Sequence, residues 1–224
     1  MSWKKTFYEG LKSGIPIGLG YLPVSFTFGF LAVSGGLPVW VAVFISLTNL
    51  TSAGQFAGTN LILAGAGYFE VALTTFVINL RYMLQSAALA PWYAGLTRGV
   101  RLLLGFAVTD ENFAVHVTAF QNGWARSLTT LFTCNHLTQL AWVGGSALGA
   151  FCGELVSDVK PLGLDYALTA MFLALLVPQC VDRLHVLVAL FTLALSVALR
   201  ALGMSQWNIA LATVVGASLG TALL

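Results

Sequence analysis

Apolar stretches follow one another from Leu11 to the C-terminal residues with only short connections between them. They cover Leu11 to Val33, Pro38 to Ala64, Phe69 to Trp92, Leu102 to Phe120, Leu128 to Cys152 and Leu162 to Val177, and a final region pairs Leu184 to Leu199 with Trp207 to Leu224. Several are long enough to cross a hydrocarbon layer of about 30 Å, for which a helix needs about 20 residues. Only 8% of the residues are charged and 58% are hydrophobic, against the roughly 25% charged of an ordinary globular domain. So few charges cannot cover a soluble chain of this length. Backbone groups facing lipid must bond within their own segment, and the alternation of a membrane barrel is absent. The expected fold class is therefore all-α, a polytopic transmembrane helix bundle forming one integral membrane domain over residues 1–224.

The same composition excludes other classes. A net charge of +2 without a lysine and arginine stripe gives no footprint for nucleic acid. Cys134, Cys152 and Cys180 lie in or beside apolar segments without CxxC spacing, so they are expected to be packing residues and neither a disulfide framework nor a metal site is expected. Lys4, Lys5 and Lys12 precede an apolar run as in a signal peptide, but no clear small-residue cleavage site follows, and the first helix is expected to be retained. No repeat is evident by eye, although a weak inverted repeat between the halves would escape such a reading.

Two segments carry signs of interruption. The first holds Pro16, Pro23, Gly14, Gly18, Gly20 and Gly29, and the second holds Ser52-Ala53-Gly54-Gln55. Unwound turns there would expose backbone groups near the bilayer centre for binding; the alternative is that the glycines only permit close helix packing. The distribution of positive charge favours a re-entrant second segment. With Arg81 set aside from the ten basic residues and the N-terminus cytoplasmic, the remaining nine divide seven inside to two outside if Pro38 to Ala64 dips and returns, but five to four if it spans. The tally does not decide whether Leu102 to Phe120 spans. Its Asp110, Glu111, Asn112 and His116 face a protein-lined cavity or lie along the interface.

The third segment is the most informative. On a helix, Thr74, Gln85, Tyr82, Thr75, Ser86 and Asn79 all fall within about 160° to one side of Arg81. Phe69, Leu73, Phe76, Val77, Leu80, Met83, Leu84, Ala87 and Ala88 take the other half. One face meets lipid or packed helices and the other something polar. An arginine at mid-segment costs roughly 2.5 to 3.5 kcal/mol on insertion scales, so Arg81 is expected to face the bundle with a partner. Asp110 and Glu111 are the candidates, either in a purely structural ion pair or in a functional one. Burial raises a carboxyl pKa and a nearby arginine lowers it, and a group poised between the two can carry a coupled proton. In the second segment Asn49, Ser52, Gln55, Thr59 and Asn60 would share an arc of about 140° on a continuous helix. They either bind a zwitterion or join helices.

Enzyme motifs are missing. His116, His136 and His185 lie on different segments, without HExxH, GxSxG, a Walker loop or a dinucleotide fingerprint. Asp182, Arg183 and His185 crowd a short connection read as a solvated loop. No enzyme and no cofactor are expected.

Five ordered stretches together resemble one family: Gly14-Ile15-Pro16-Ile17-Gly18-Leu19-Gly20-Tyr21-Leu22-Pro23, Ser52-Ala53-Gly54-Gln55-Phe56-Ala57, Asn79-Leu80-Arg81-Tyr82-Met83-Leu84, Thr109-Asp110-Glu111-Asn112-Phe113, and Leu164-Asp165-Tyr166-Ala167 with Phe172-Leu173-Ala174-Leu175-Leu176-Val177-Pro178. Over nearly its whole length the chain resembles the AzlC family, large subunits of bacterial branched-chain amino acid exporters. It has Gly54-Gln55 where that family often has Ser-Gln, Tyr82 where it often has His, and only Arg98 and Arg101 where a richer arginine run is usual. The resemblance implies efflux of leucine, isoleucine and valine, with methionine and related analogues as candidates, across the bacterial plasma (inner) membrane. It also implies drive by the proton gradient and a small hydrophobic partner subunit of the AzlD type. On this reading Ser52, Gly54, Gln55, Asn79 and Arg81 bind the amino acid, together with backbone groups freed near Pro23 and Gly54. Asp110 and Glu111 couple the proton. The alternatives are a passive channel for a small polar solute, an intramembrane enzyme using Asp110, Glu111 and His136, and a structural subunit whose partner makes the pathway.

Overall fold

The computed structural model describes residues 3–121, 127–155, 173, 176, 180, 182–204 and 208–223. Among them every regular element is helical: α1 (Trp3–Ser34), α2 (Val39–Thr48), α3 (Ser52–Leu63), α4 (Tyr68–Leu89) with a 3₁₀ turn at Ala90–Tyr93, α5 (Arg98–Phe106), α6 (Asp110–Gln121), α7 (Leu128–Leu155), α8 (Arg183–Ala201) and α9 (Asn208–Leu223). The described residues fall into two compact bodies, one within Met1–Leu168 and one within Thr169–Leu224. The segment expected at Leu162 to Val177 lies outside the described residues, apart from Leu173 and Leu176.

The first body is organised around α1 and α7, which run parallel in near backbone contact. Gly10 lies on Thr130 and Thr133, Gly14 on Cys134, Gly18 on Ala141, Gly29 on Ser146, and Gly149 and Gly153 on the backbones of Phe26 and Phe30. A Cβ at Gly29 would overlap the Ser146 carbonyl, and one at Gly149 the Phe26 carbonyl. These glycines therefore set the approach of the two helices. The unwound turn considered for the first segment is not there. Pro16 and Pro23 stand inside a continuous helix, each removing one hydrogen bond from the ladder, while packing along α7 keeps both halves of α1 in line.

The second segment is interrupted, but upstream of Ser52. Asn49 and Thr51 have extended backbones, ending α2 and opening α3, and Ser52 to Gln55 are the first turn of α3 rather than the break. From the end of α1 the chain turns at Gly36, whose φ of +111° suits glycine. It runs back along α7 to Ser46 beside Ser146, breaks, and returns until Leu63 lies against Gly35. Thus α2–α3 is a hairpin that enters and leaves at the same end of α1.

A second hairpin enters from the other end. The stretch from Leu102 to Phe120, read as one segment, is divided by Ala107, Val108 and Thr109 into α5 and α6. Helix α4 runs antiparallel to α1: Thr75 lies on Gly58 and Asn79 on Gly54, Arg81 reaches Asp110, and Leu89 and Tyr93 join Leu104, Val108, Phe120 and Leu131 in one apolar cluster. The tip of α5–α6 therefore lies midway along α1, and its open end lies near the start of α7. The unit α1 with α2–α3 and the unit α4 with α5–α6 share one order of elements and point in opposite directions. This is an inverted repeat that reading by eye did not show.

The tips match in detail. Thr51 Oγ1 accepts from the Gly54 amide at 3.3 Å and Thr109 Oγ1 from the Asn112 amide at 3.2 Å, each satisfying a free donor of a helix start. The Gln55 side-chain amide donates to the Asn49 carbonyl, and that of Asn112 donates to the Ala107 carbonyl at 3.1 Å. Each thereby closes its break. Each amide also reaches α7, Gln55 accepting from Trp142 Nε1 at 3.1 Å and Asn112 donating to Thr138 Oγ1 at 3.1 Å. Both are followed by Phe-Ala, Phe56-Ala57 and Phe113-Ala114.

In the second body α8 and α9 pack antiparallel, Gly216 against Thr192 and Gly220 against Val188. Asp182, read as part of a solvated loop, is exposed and caps α8 by accepting from the His185 amide at 2.9 Å. That backbone hydrogen bond holds its carboxyl below the usual range. Among the described residues, α1 and α8 are long and apolar enough to cross a membrane.

Candidate functional site

Three consecutive residues at the start of α6 reach three different helices. Asp110 meets α4, Glu111 meets α1 and Asn112 meets α7. A helix N-terminus carries partial positive charge and favours carboxylates in its first turn, which is where Asp110 and Glu111 stand.

Arg81 projects from the inner face of α4 and its Nη1 lies 2.8 Å from Asp110 Oδ2; the two side chains are 35% and 37% exposed. Gln85, one turn along α4, donates to Asp110 Oδ1 at 2.7 Å. Arg81 Nη2 donates to the Tyr82 hydroxyl at 3.0 Å, with the guanidinium carbon 4.8 Å from the ring centroid, a distance at which a cation and an aromatic face attract. Arg81 Nε and Gln85 Oε1 are buried and have no hydrogen-bond partner among the described residues. The opposite face of α4 exposes Phe69, Phe76, Val77, Met83 and Leu84, so the two faces projected from the sequence are the two faces of the helix.

Glu111 has a different environment. The Tyr21 hydroxyl donates to its Oε2 at 2.6 Å and also lies 2.8 Å from Thr109 Oγ1. Since a phenol has one proton, Tyr21 donates to the carboxylate and accepts from Thr109. Among the described residues no basic side chain pairs with Glu111. Tyr21 also packs edge-on against Trp142, with centroids 5.2 Å apart. It thus touches the second hairpin directly and the first through the indole that holds Gln55.

The remaining sequence candidates lie at the first tip. Gly54 lies under the Asn79 amide, where a Cβ would come within 3.0 Å of Asn79 Oδ1; the close approach lets Thr51 donate to Asn79 at 2.8 Å. Gln55 is 1% exposed. Its amide serves the Asn49 and Ile45 carbonyls, Trp142 and, at 3.5 Å, Ser46, filling its four hydrogen-bonding positions. Ser52 stands partly buried in the same turn. The structure therefore gathers Arg81, Asp110 and Glu111 at one tip and Gly54, Gln55 and Asn79 at the other. His136 is exposed, its Nδ1 donating to the Phe132 carbonyl at 2.8 Å, and it is not among the partners of Asp110 and Glu111 in the described residues. Tyr21 and Trp142 were not identified as site residues from the sequence. Their signal was the short match between Gln55-Phe56-Ala57 and Asn112-Phe113-Ala114, which would have paired the tips that these two rings join.

Residues 16–156 match the family described as AzlC protein. An uncharacterized membrane protein of Archaeoglobus fulgidus is 32% identical over 96% of this chain and 94% of its own. The inner membrane protein YgaZ of Escherichia coli K12 is 30% identical over 76% of this chain and 72% of its own. The branched-chain amino acid transport protein AzlC of Bacillus subtilis is 28% identical over 82% of this chain and 72% of its own. No solved structure matches the chain. The matched region runs from the middle of α1 through both hairpins to the end of α7, and the chain belongs to the AzlC family.

Proposed function

We propose that this chain is a multi-pass transporter of the bacterial plasma membrane that exports branched-chain or related hydrophobic amino acids in exchange for protons, with a small hydrophobic AzlD-type partner subunit. The observation that carries the reading is the Arg81–Asp110 ion pair beside the meeting point of two broken helices. Broken helices with their ends near the bilayer centre are the setting in which secondary transporters bind substrate and coupling ion, and an intramembrane ion pair marks such a site. The apolar outer face of α4 and the exposed apolar side chains of α8 suit contact with lipid, and the name of the Bacillus subtilis relative supplies the cargo class.

Arg81 would bind the amino acid's carboxylate when its pairing with Asp110 is exchanged, and the released Asp110 would face the ammonium. Because α1 is unbroken at Pro23, the backbone groups in this reading come from the start of α3 around Gly54, with Asn79 lining the same cavity. Protonation of Asp110 or Glu111 would couple the gradient to the exchange. The carrier moves its cargo unchanged, and nothing in this cycle calls for a cofactor.

Labelled valine, leucine and methionine loaded into proteoliposomes, with and without the small subunit, test the reading under an imposed pH gradient. Gradient-dependent efflux is expected, and Arg81→Ala should lower it by at least tenfold, equivalent to about 1.4 kcal/mol, while leaving insertion intact. Flux that ignores the gradient would identify a passive channel instead, and normal export by the alanine variant would remove Arg81 from the mechanism.

A further inference from the structure

Adjacent side chains on a helix point to different neighbours, and the surroundings of Asp110 and Glu111 differ in kind. Asp110 has a guanidinium at 2.8 Å and an amide donor at 2.7 Å, so its charge is balanced and protonating it would strand Arg81 in the bundle. Glu111 has a neutral phenol at 2.6 Å. Among the described residues its hydrogen-bonded titratable partner is Tyr21 on α1. Of the other titratable and charged groups on the elements packed at this tip, Arg81 of α4 is held by Asp110 and Tyr82, His116 of α6 meets Tyr93, and Cys134 of α7 meets Asn112, so the one cation among these groups is held by Asp110.

The hydroxyls beside Glu111 can serve both of its states. With the carboxylate ionised, Thr109 donates to Tyr21 and Tyr21 to Glu111, while Thr109 Oγ1 accepts from the Asn112 amide. With the carboxyl protonated, the directions reverse: Glu111 donates to Tyr21, and Tyr21 donates to Thr109. Only hydroxyl rotations separate the two arrangements, so a proton can be gained or lost while the Glu111–Tyr21–Thr109 chain of hydrogen bonds stays intact. Arg81 and Asp110 have no such neutral alternative.

From these contrasts we infer that Glu111 is the proton-carrying carboxyl of the transporter, and that Tyr21 is the positioning residue linking its protonation to the first hairpin through Trp142. The inference rests on the transport reading above and divides its roles: Asp110 stays ionised as the exchangeable partner of Arg81. When Glu111 is ionised, Tyr21 is tied to the tip of α5–α6. When it is protonated, that tie weakens to a neutral hydrogen bond, which frees the ring to shift against Trp142 and so against Gln55, whose amide closes the α2–α3 break.

The test uses the full chain in lipid, followed by infrared difference spectroscopy on acidification and by valine efflux. A protonated-carboxyl band is expected in wild type and in Asp110→Asn, and its loss is expected in Glu111→Gln. In Tyr21→Phe the ionised carboxylate loses a charge-assisted hydrogen bond and the protonated acid only a neutral one, so the band's midpoint should move to higher pH than in wild type. In liposomes, Glu111→Gln should abolish gradient-driven valine efflux yet retain valine–valine exchange, whereas Asp110→Asn should lose both. A band that persists unchanged in Glu111→Gln, or a Tyr21→Phe midpoint equal to wild type, overturns the inference. If the band behaves as expected but wild type moves no valine, the transport reading falls and the assignment of the proton to Glu111 stands.

Discussion

Gln55 shows how one residue sets the geometry of a broken helix. The Gln55 amide reaches back from α3 to the carbonyls of Ile45, in the last turn of α2, and of Asn49, which caps that helix, while accepting from the buried Trp142 indole. Gln55→Leu keeps the volume and removes every one of these bonds. Leaving buried groups unpaired costs about 1 to 3 kcal/mol, although polar contacts within membrane bundles average nearer 0.6 kcal/mol because the unfolded state finds other partners. Trp142 and the helix-end carbonyls at this site are fixed by different elements, so the larger range applies. Titration of the purified chain with sodium dodecyl sulfate should show Gln55→Leu destabilised by about 1 to 3 kcal/mol; a change below about 0.5 kcal/mol would mean the break holds without the amide. A role in the closed tip was legible for Gln55 only as an inward polar group. Sequence alone gives the face of a helix but not which partner reaches it.

At the scale of elements, what the sequence showed and what it hid follow from the range of the forces involved. The two faces of α4 were readable because helical period is a local property, and the exposure of Phe76 and Met83 against the inward Arg81 and Gln85 repeats that projection. Continuity of α1 through Pro16 and Pro23 was not readable, because it depends on α7, more than a hundred residues away. The division of Leu102 to Phe120 was hidden for a related reason: Ala107 and Val108 are apolar and buried, so a break there looks like continued hydrophobic segment. Packing of α1 on α7 gives a sharp contrast between two glycines of the same helix. Gly149→Ala would drive its Cβ into the Phe26 backbone, whereas Gly144→Ala meets open space. Overpacking costs about 1 to 3 kcal/mol, so Gly149→Ala should lower the unfolding free energy by that range while Gly144→Ala stays within about 0.5 kcal/mol of wild type. Equal stability of the two variants would show that the glycine contacts do not set the helix spacing.

For the molecule as a whole, two hairpins that enter from opposite ends and stop beside each other make a barrier with a different wall on each side. Asn79 stands at the tip of α2–α3 and Gln85 at the tip of α5–α6, with Tyr21 and Trp142 between the tips. Movement of one hairpin away from α7 would open the site to its own side while the other hairpin, still tied by Gln55 or Asn112, keeps the far side shut. Such alternation of one repeat against its inverted partner is how many secondary transporters give access to a central site. Cysteine placed at Asn79 or Gln85, in a chain whose three native cysteines are replaced, should then react with an impermeant thiol reagent from opposite faces of the membrane. Adding valine should change the two rates in opposite directions, because a substrate that favours one arrangement draws population from the other. Labelling of both positions from the same face, or rates that rise together, would show that the hairpins are not alternate gates and that the inverted repeat serves packing alone.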